Sequence, residues 1–178
     1  MYDNSVRVPL IIYDPRAKKH YDVDDMVANV DLATTILDFA RIKSNLKTHG
    51  MSLVPYVYDG ISKDKREELM IEHLWDFLPI PPSEGVRTEQ WKYFRYKTIN
   101  APEELYNLKN DPKELNNLAS DKEYINILKK MRNKLNKIAK DTNIFLKDFI
   151  NKQKNSKLIL AMKYGLFPGG KKIRSKIL

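Results

Sequence analysis

The sequence predicts an α/β protein: the end of an α/β core, then a small antiparallel sheet with a helix, then a basic helical tail. Three observations lead there. A run that is nearly all apolar after Pro9, Leu10-Ile11-Ile12-Tyr13, precedes apolar residues at helical spacing, Leu32, Ile36, Leu37 and Phe39; this is the strand-then-helix order of a layer built on a parallel sheet. Residues 85–96 alternate aromatic and polar side chains with period two, the pattern of an antiparallel hairpin. Charge is divided unevenly: residues 1–119 hold 16 Lys+Arg against 19 Asp+Glu, net −3, and residues 120–178 hold 16 against 4, net +12. The overall charge of +9 therefore belongs to an extension rather than to the body. Three segments are expected: 1–45 as the last strand and helix of the core, 46–120 as the sheet subdomain, and 121–178 as a basic amphipathic helix and tail.

Each element has its own warrant. Val6 to Tyr13 is expected to be a strand buried on both faces, ended by Asp14-Pro15-Arg16. A helix of about three turns is expected over residues 29–40, with Asn29 or Asp31 capping its first amides. Gly50, Pro55 and Gly60 mark residues 41–60 as loop, and residues 65–70 as a short helix or the approach to a strand. Pro79, Pro81 and Pro82 impose a stiff extended loop. In the hairpin, Trp91, Tyr93 and Arg95 face one way and Lys92, Phe94 and Tyr96 the other, so neither face is fully wet. A short strand over 103–108 follows, then a turn at Asn110-Asp111-Pro112, where Pro112 suits the first position of a helix. From Asp121 on, Tyr124, Ile127, Leu128, Met131, Leu135 and Ile138 form one helical face, with lysines over the rest. Further apolar residues at 145–150 and 158–162, a Gly/Pro break at 165–170 and a basic cluster at 171–176 complete the tail.

Composition limits the chemistry. With no cysteine there is no disulfide, thiol nucleophile or thiolate metal site. No apolar run reaches the ~18 residues of a membrane span, and residues 1–4 lack the basic-then-apolar order of a signal peptide; the compartment stays unknown. His20, His49 and His73 are unpaired at metal-ligand spacing. The first two read as solvated loop residues. His73 lies among Leu74, Trp75 and Phe77 and is the candidate for proton exchange near neutral pH, against the alternative of a satisfied core histidine. The carboxylate pairs Asp24-Asp25, Glu67-Glu68 and Glu103-Glu104 read as solvated surface, because neighbouring side chains on an extended chain point apart.

Five segments, taken in order, resemble one family. Met1-Tyr2-Asp3-Asn4-Ser5-Val6-Arg7-Val8-Pro9-Leu10-Ile11 resembles the segment of sulfatases that follows their metal-binding Asp-His or Asp-Asn pair. Residues 29–38 resemble the family's next helix, and Gly50-Met51-Ser52-Leu53-Val54-Pro55 the loop after it. Glu84-Gly85-Val86-Arg87-Thr88-Glu89-Gln90-Trp91-Lys92-Tyr93 is similar to the C-terminal hairpin, and residues 104–119 to the closing strand-turn-helix. The relatives in view are sulfamidase, iduronate sulfatase and choline sulfatase. The resemblance implies an alkaline-phosphatase-like core and hydrolysis of a sulfate ester or sulfamate. It also implies calcium and a formylglycine made within Cys/Ser-x-Pro-x-Arg.

No such motif stands in this chain, and the family's calcium ligands precede the equivalent of Met1, so no cofactor is expected here. An internal Met taken as the start of a split or mis-started frame would explain this, with a separately encoded N-terminal half as partner. Catalytic residues and metal ligands are therefore expected to be none. The resemblance places Glu72 and His73 in a segment that approaches the substrate pocket. Arg87, whose forked donors suit a sulfate, is the third substrate-binding candidate, against a structural ion pair with Glu89 or Asp76. The expected ligand is a sulfated small molecule or glycan. The alternative is a non-enzymatic basic module binding polyanions through its tail: a sulfated glycan, nucleic acid or an anionic membrane. Nucleic acid is disfavoured because aromatic residues are sparse among the lysines.

Overall fold

The computed structural model describes residues 1–43, 48–73, 80–97 and 100–152. The chain divides into two units, one of Arg7–Leu69 and the other of Met1–Val6 with everything from Met70 on. In chain order the elements are helices α1 (Asp3–Val6), α2 (Val30–Phe39) and α3 (Val54–Asp59), and strands β1 (Glu68–His73), β2 (Ser83–Thr88), β3 (Trp91–Tyr96) and β4 (Glu104–Asn107). A 3-10 turn, Lys122–Tyr124, then leads into helix α4 (Ile125–Asn151).

The strands form one sheet in the order β1-β2-β3-β4. Strands β2 and β3 pair antiparallel with Gly85 opposite Phe94 and Arg87 opposite Lys92. Strands β3 and β4 pair with Lys92 opposite Tyr106 and Phe94 opposite Glu104. The hairpin is closed by a reciprocal bond. The Trp91 N–H donates to Thr88 Oγ1 at 3.0 Å, and the Thr88 hydroxyl donates to the Trp91 carbonyl at 3.1 Å. The period-two alternation puts Val86, Tyr93 and Leu105 on one face, where they pack against Leu128, Met131 and Leu135 of α4. The partly buried Tyr124, Ile127 and Ile138 join this cluster, so the apolar stripe expected of the helix is the stripe that docks. Each such side chain contributes about 1.5–3 kcal/mol on burial.

The opposite face carries Phe94, Tyr106 and Leu108, with Met1 and Tyr96 packed against them. Tyr2 meets Phe94 edge-on with centroids 5.5 Å apart. Gly85 is required here: a Cβ would stand 2.6 Å from the Phe94 Cβ and the Tyr93 carbonyl oxygen. Beyond β4 no helix forms at Pro112. Asp111 instead accepts from the Leu115 and Asn116 amides, both at 2.9 Å. Asn117 then lies along β4, accepting from Leu105 N at 3.0 Å and donating to the Glu103 carbonyl at 3.0 Å. A side-chain rung of this kind competes with helix formation for the same polar groups.

The second unit is organised by Asp31, a fully buried carboxylate. Arg66 grips it with Nη1 and Nη2, both at 2.6 Å. The Ala28 and Met51 amides also donate to it, at 2.7 and 2.9 Å. Helix α2 thus starts from Asp31 reaching back to Ala28, and the Asn29 side chain makes no cap. The Thr35 hydroxyl donates to the Asp31 carbonyl and accepts from the Leu53 amide, joining α2 to the chain that enters α3.

Two expectations fail in this unit. The loop expected over 41–60 contains α3, because Pro55 sits in the first turn, where its missing N–H costs nothing, and Gly60, at φ 72°, ends the helix. The strand expected from Val6 to Tyr13 does not form: α1 ends at Val6 and residues 7–13 have no regular structure. Val8, Ile11 and Tyr13 are 75%, 89% and 85% exposed. No described residue offers this segment a ladder, and a strand exists only through its neighbours. The expected features at 158–176 lie outside the described residues.

Burial alone would raise the Asp31 carboxyl, but Arg66 and the two amides hold it below its ordinary 3.8. A depressed carboxyl contributes stability that is present above the unfolded value and is lost as pH falls through the folded one. The urea midpoint is therefore expected to hold from about pH 7 to 5 and fall below about pH 4. Asp31→Asn should lower the neutral midpoint by the equivalent of about 3–5 kcal/mol, since it leaves Arg66 without its counter-charge, and should make the acid decline shallower. Circular dichroism in urea at several pH values reads both effects.

Candidate functional site

Glu72 and His73 close β1, and consecutive strand positions send their side chains to opposite faces. Glu72 Oε1 lies 3.8 Å from Lys97 Nζ. Lys97 is held more closely by Glu84, at 2.6 Å, and Glu84 also pairs with Arg95 directly across the hairpin, at 2.8 Å. Burial pushes the Glu84 carboxyl up, but Lys97 and Arg95 outweigh it and keep the group below its ordinary 4.5. His73 differs from the rest: its Nε2 is shielded from solvent and has no hydrogen-bond partner among the described residues.

Arg87 meets Asp3, through Nε at 3.4 Å and Nη2 at 3.2 Å; Asp76, one of its expected ion-pair partners, lies outside the described residues. Lys92, opposite Arg87 on β3, binds the same Asp3 carboxylate. Lys92 is only 1% exposed and also meets Glu114 at 2.6 Å. Glu114 takes a left-handed φ of 55° and accepts from the Asp3 amide at 2.5 Å. Two cations and two carboxylates from four separate stretches of chain thus neutralise one another beneath α1. Burial would raise Asp3, yet its bonds from Lys92 and Arg87 hold it below 3.8.

The pair expected to be solvated surface, Glu103-Glu104, is hydrogen-bonded at both positions, with Glu103 half-buried and Glu104 buried. Glu104 is buried and accepts from three tyrosine hydroxyls, Tyr2 at 2.8 Å, Tyr96 at 2.6 Å and Tyr106 at 2.5 Å. Glu103, on the α4 side, accepts from Arg132 and from Tyr93 at 2.8 Å. Burial first and Glu103 second push the Tyr93 hydroxyl up to about 12. Asp25 likewise holds Tyr56 at 3.0 Å and Lys65 at 2.9 Å. His20 and His49 are exposed, as expected; His20 faces Asp22 at 3.1 Å. Among the described residues no group of His, Asp and Glu could hold a metal. Asp3, Glu84, Glu103, Glu104 and Asp25 already answer lysines, arginines and tyrosines and are not arranged as a calcium donor set.

Against this geometry, residues 1–141 match the family described as N-sulphoglucosamine sulphohydrolase, C-terminal. The chain belongs to this family of sulfatase C-terminal regions. Arylsulfatase K of Gallus gallus is 31% identical over 114 residues, which is 61% of this chain and 21% of that protein. The N-acetylglucosamine-6-O-sulfatase of Bacteroides thetaiotaomicron is 30% identical over 118 residues, 61% of this chain and 20% of that one. Among solved structures, BT4656 in complex with its substrate D-glucosamine-2-N,6-O-disulfate matches with TM-score 0.56 and 28% identity, over 63% of this chain and 24% of that one. BT1596, a 2-O GAG sulfatase, matches with TM-score 0.57 and 31% identity, over 64% and 24%. The fold is that of the alkaline-phosphatase-like sulfatases, and the chain spans about a fifth of the length of the curated relatives it matches.

The buried charge cluster has a measurable cost of disruption. Lys92→Met should destabilise the sheet unit by about 3–5 kcal/mol, because Asp3 and Glu114 lose the cation between them. Adding Asp3→Asn and Glu114→Gln should recover much of that loss. Urea midpoints of the parent, the single variant and the triple variant check this; a Lys92→Met midpoint equal to the parent's would refute the assignment.

Proposed function

We propose that this chain is the C-terminal portion of a sulfatase hydrolysing a sulfate ester or sulfamate on a glycan, and that it has no turnover by itself. The observation that carries the reading is the family match over residues 1–141. Sulfate-ester hydrolysis needs a strong nucleophile and a cation to neutralise the equatorial oxygens. The resemblance assigns these to formylglycine and calcium, and the chain has neither Cys nor Ser in the required motif. A polypeptide carrying both is the proposed partner. The exposed Val8, Ile11 and Tyr13 support a partner that covers them, since contiguous exposed apolar surface marks an interaction site.

In this reading Glu72, His73 and Arg87 are what the chain brings to the substrate side. His73 is the contact residue. Its Nε2, buried and without a hydrogen-bond partner among the described residues, would cost about 1–3 kcal/mol if nothing met it, and a sulfate or hydroxyl oxygen would satisfy it. Glu72 and Arg87 are positioning residues, held by Lys97 and Asp3.

The purified chain is expected to release no 4-nitrophenol from 4-nitrophenyl sulfate above buffer. Co-expression with a sulfatase N-terminal portion matured to formylglycine should give hydrolysis of a 6-O- or N-sulfated glucosamine. Turnover by the chain alone would sink the reading. In the assembled enzyme, His73→Asn should lower kcat/KM about tenfold or more with an unchanged urea midpoint; equal kcat/KM would remove His73 from the pocket.

A further inference from the structure

We propose that the solvent face of α4 is a docking track for a sulfated glycan chain, separate from the pocket in which hydrolysis occurs. Residues 125–140 hold six basic residues, Lys129, Lys130, Arg132, Lys134, Lys137 and Lys140, and no acidic one. Arg132 is committed to Glu103. Lys129, Lys130, Lys137 and Lys140 are exposed and make no ion pair among the described residues. At ~100° per residue these four, with the exposed Asn126 and Asn133, fall within an arc of about 100° centred opposite Leu128, Met131 and Leu135. From Asn126 to Lys140 the arc runs about 21 Å along the axis at 1.5 Å per residue. Over this length it is a single-signed strip, with amide side chains that can bond sugar hydroxyls lying between its lysine borders.

A helix face meant only for solvation alternates its charges, because like charges three or four residues apart repel by about 0.2–0.5 kcal/mol per pair. This helix does use an opposite-charge pair farther on, where Lys152 meets Asp148 at 2.6 Å. Over 125–140 it carries no acid: Lys137 and Lys140 stand three residues apart, and the next acid along the helix is Asp141, at the end of the strip. A polyanion lying along the strip is attracted by all four exposed lysines at once.

The chemistry favours a glycan over the other polyanions. The strip carries no aromatic residue for base stacking. It does not suit a membrane, because the apolar side of the helix is already buried against the sheet. Exposed lysines are compact, mobile point charges, suited to sulfates spaced irregularly along a chain rather than to bidentate phosphate recognition. The choice of a sulfated glycan rests on the sulfatase reading above; the existence of the strip does not.

The test is fluorescence anisotropy of a labelled heparin hexasaccharide with the full chain across a NaCl titration. A single-stranded DNA oligomer of equal charge serves as the second probe. The quadruple variant Lys129→Gln, Lys130→Gln, Lys137→Gln, Lys140→Gln should bind the hexasaccharide more than tenfold more weakly at about 0.1 M salt. It should also lower the slope of log K against log salt by about 3, at ~0.7 per lost contact. The four-arginine variant should keep the affinity, and helical circular dichroism should be retained in both. Changing Lys171, Lys172, Arg174 and Lys176 to Gln should leave most of the binding.

A helix variant within twofold of the parent, or loss of binding confined to the terminal-cluster variant, would overturn the track. DNA bound as tightly as heparin would overturn its assignment to glycans. Binding is read without turnover, so glycan affinity in an assembly that hydrolyses nothing would count against the catalytic reading alone.

Discussion

A lysine with almost no access to water holds the sheet unit together. Lys92 projects from β3 between Asp3 and Glu114, residues 89 and 22 positions away in sequence. Such a cation is tolerable only when its counter-charges are equally fixed. Asp3 is fixed by Arg87 and by its own amide bonded to Glu114; Glu114 is fixed by a left-handed backbone that turns its carboxylate under the sheet. The first residues of the chain are thereby clamped onto one face of a sheet formed by residues far downstream. Without that clamp Phe94 and Tyr106 would lose Met1 and Tyr2 as cover.

A sheet with two working faces follows from this. The α4 face is apolar at its centre and tied at its rim by Arg132 to Glu103 and by Arg95 to Asn136. The other face has an aromatic layer anchored by one carboxylate, Glu104, that satisfies three tyrosine hydroxyls at once. Adjacent in sequence, Glu103 and Glu104 serve opposite faces because strand neighbours point apart. Within the closing motif, Glu104, Asp111, Glu114 and Asn117 each meet a separate need: a hydroxyl cage, a turn, a buried counter-charge and an extra ladder rung. The spacing in this stretch that resembles the sulfatase family is thus accounted for by hydrogen bonding.

Sequence reading found what is local and periodic. The hairpin was legible because aromatic alternation names both faces, and α4 because Leu128, Met131 and Leu135 repeat at helical steps. Helix α2 was legible for the same reason. What escaped was of two kinds. Helix α3 was hidden because Pro55 and Gly60 punctuate ends as readily as loops. The partners of Arg87, Lys92, Asp31 and Glu104 were hidden because no local pattern says which distant charge will answer a buried one. His73 stands out in sequence for its apolar neighbours, and in the structure for an Nε2 with no hydrogen-bond partner among the described residues. These are independent signals, one of composition and one of hydrogen bonding.

The failed strand at 6–13 is the instructive error. Its apolar run suggests a strand buried on both faces, but burial in a sheet comes from other strands, and a ladder is a property of pairs. Helix α4 met the same demand differently. Its backbone groups are satisfied within the helix, so it needs only one apolar partner face, which β2 and β3 provide. The contrast separates what a single stretch of chain can settle for itself from what it must receive. Helices carry their hydrogen bonds with them, whereas the segment from Arg7 to Tyr13, with no strand beside it among the described residues, leaves Ile11 and Tyr13 in water.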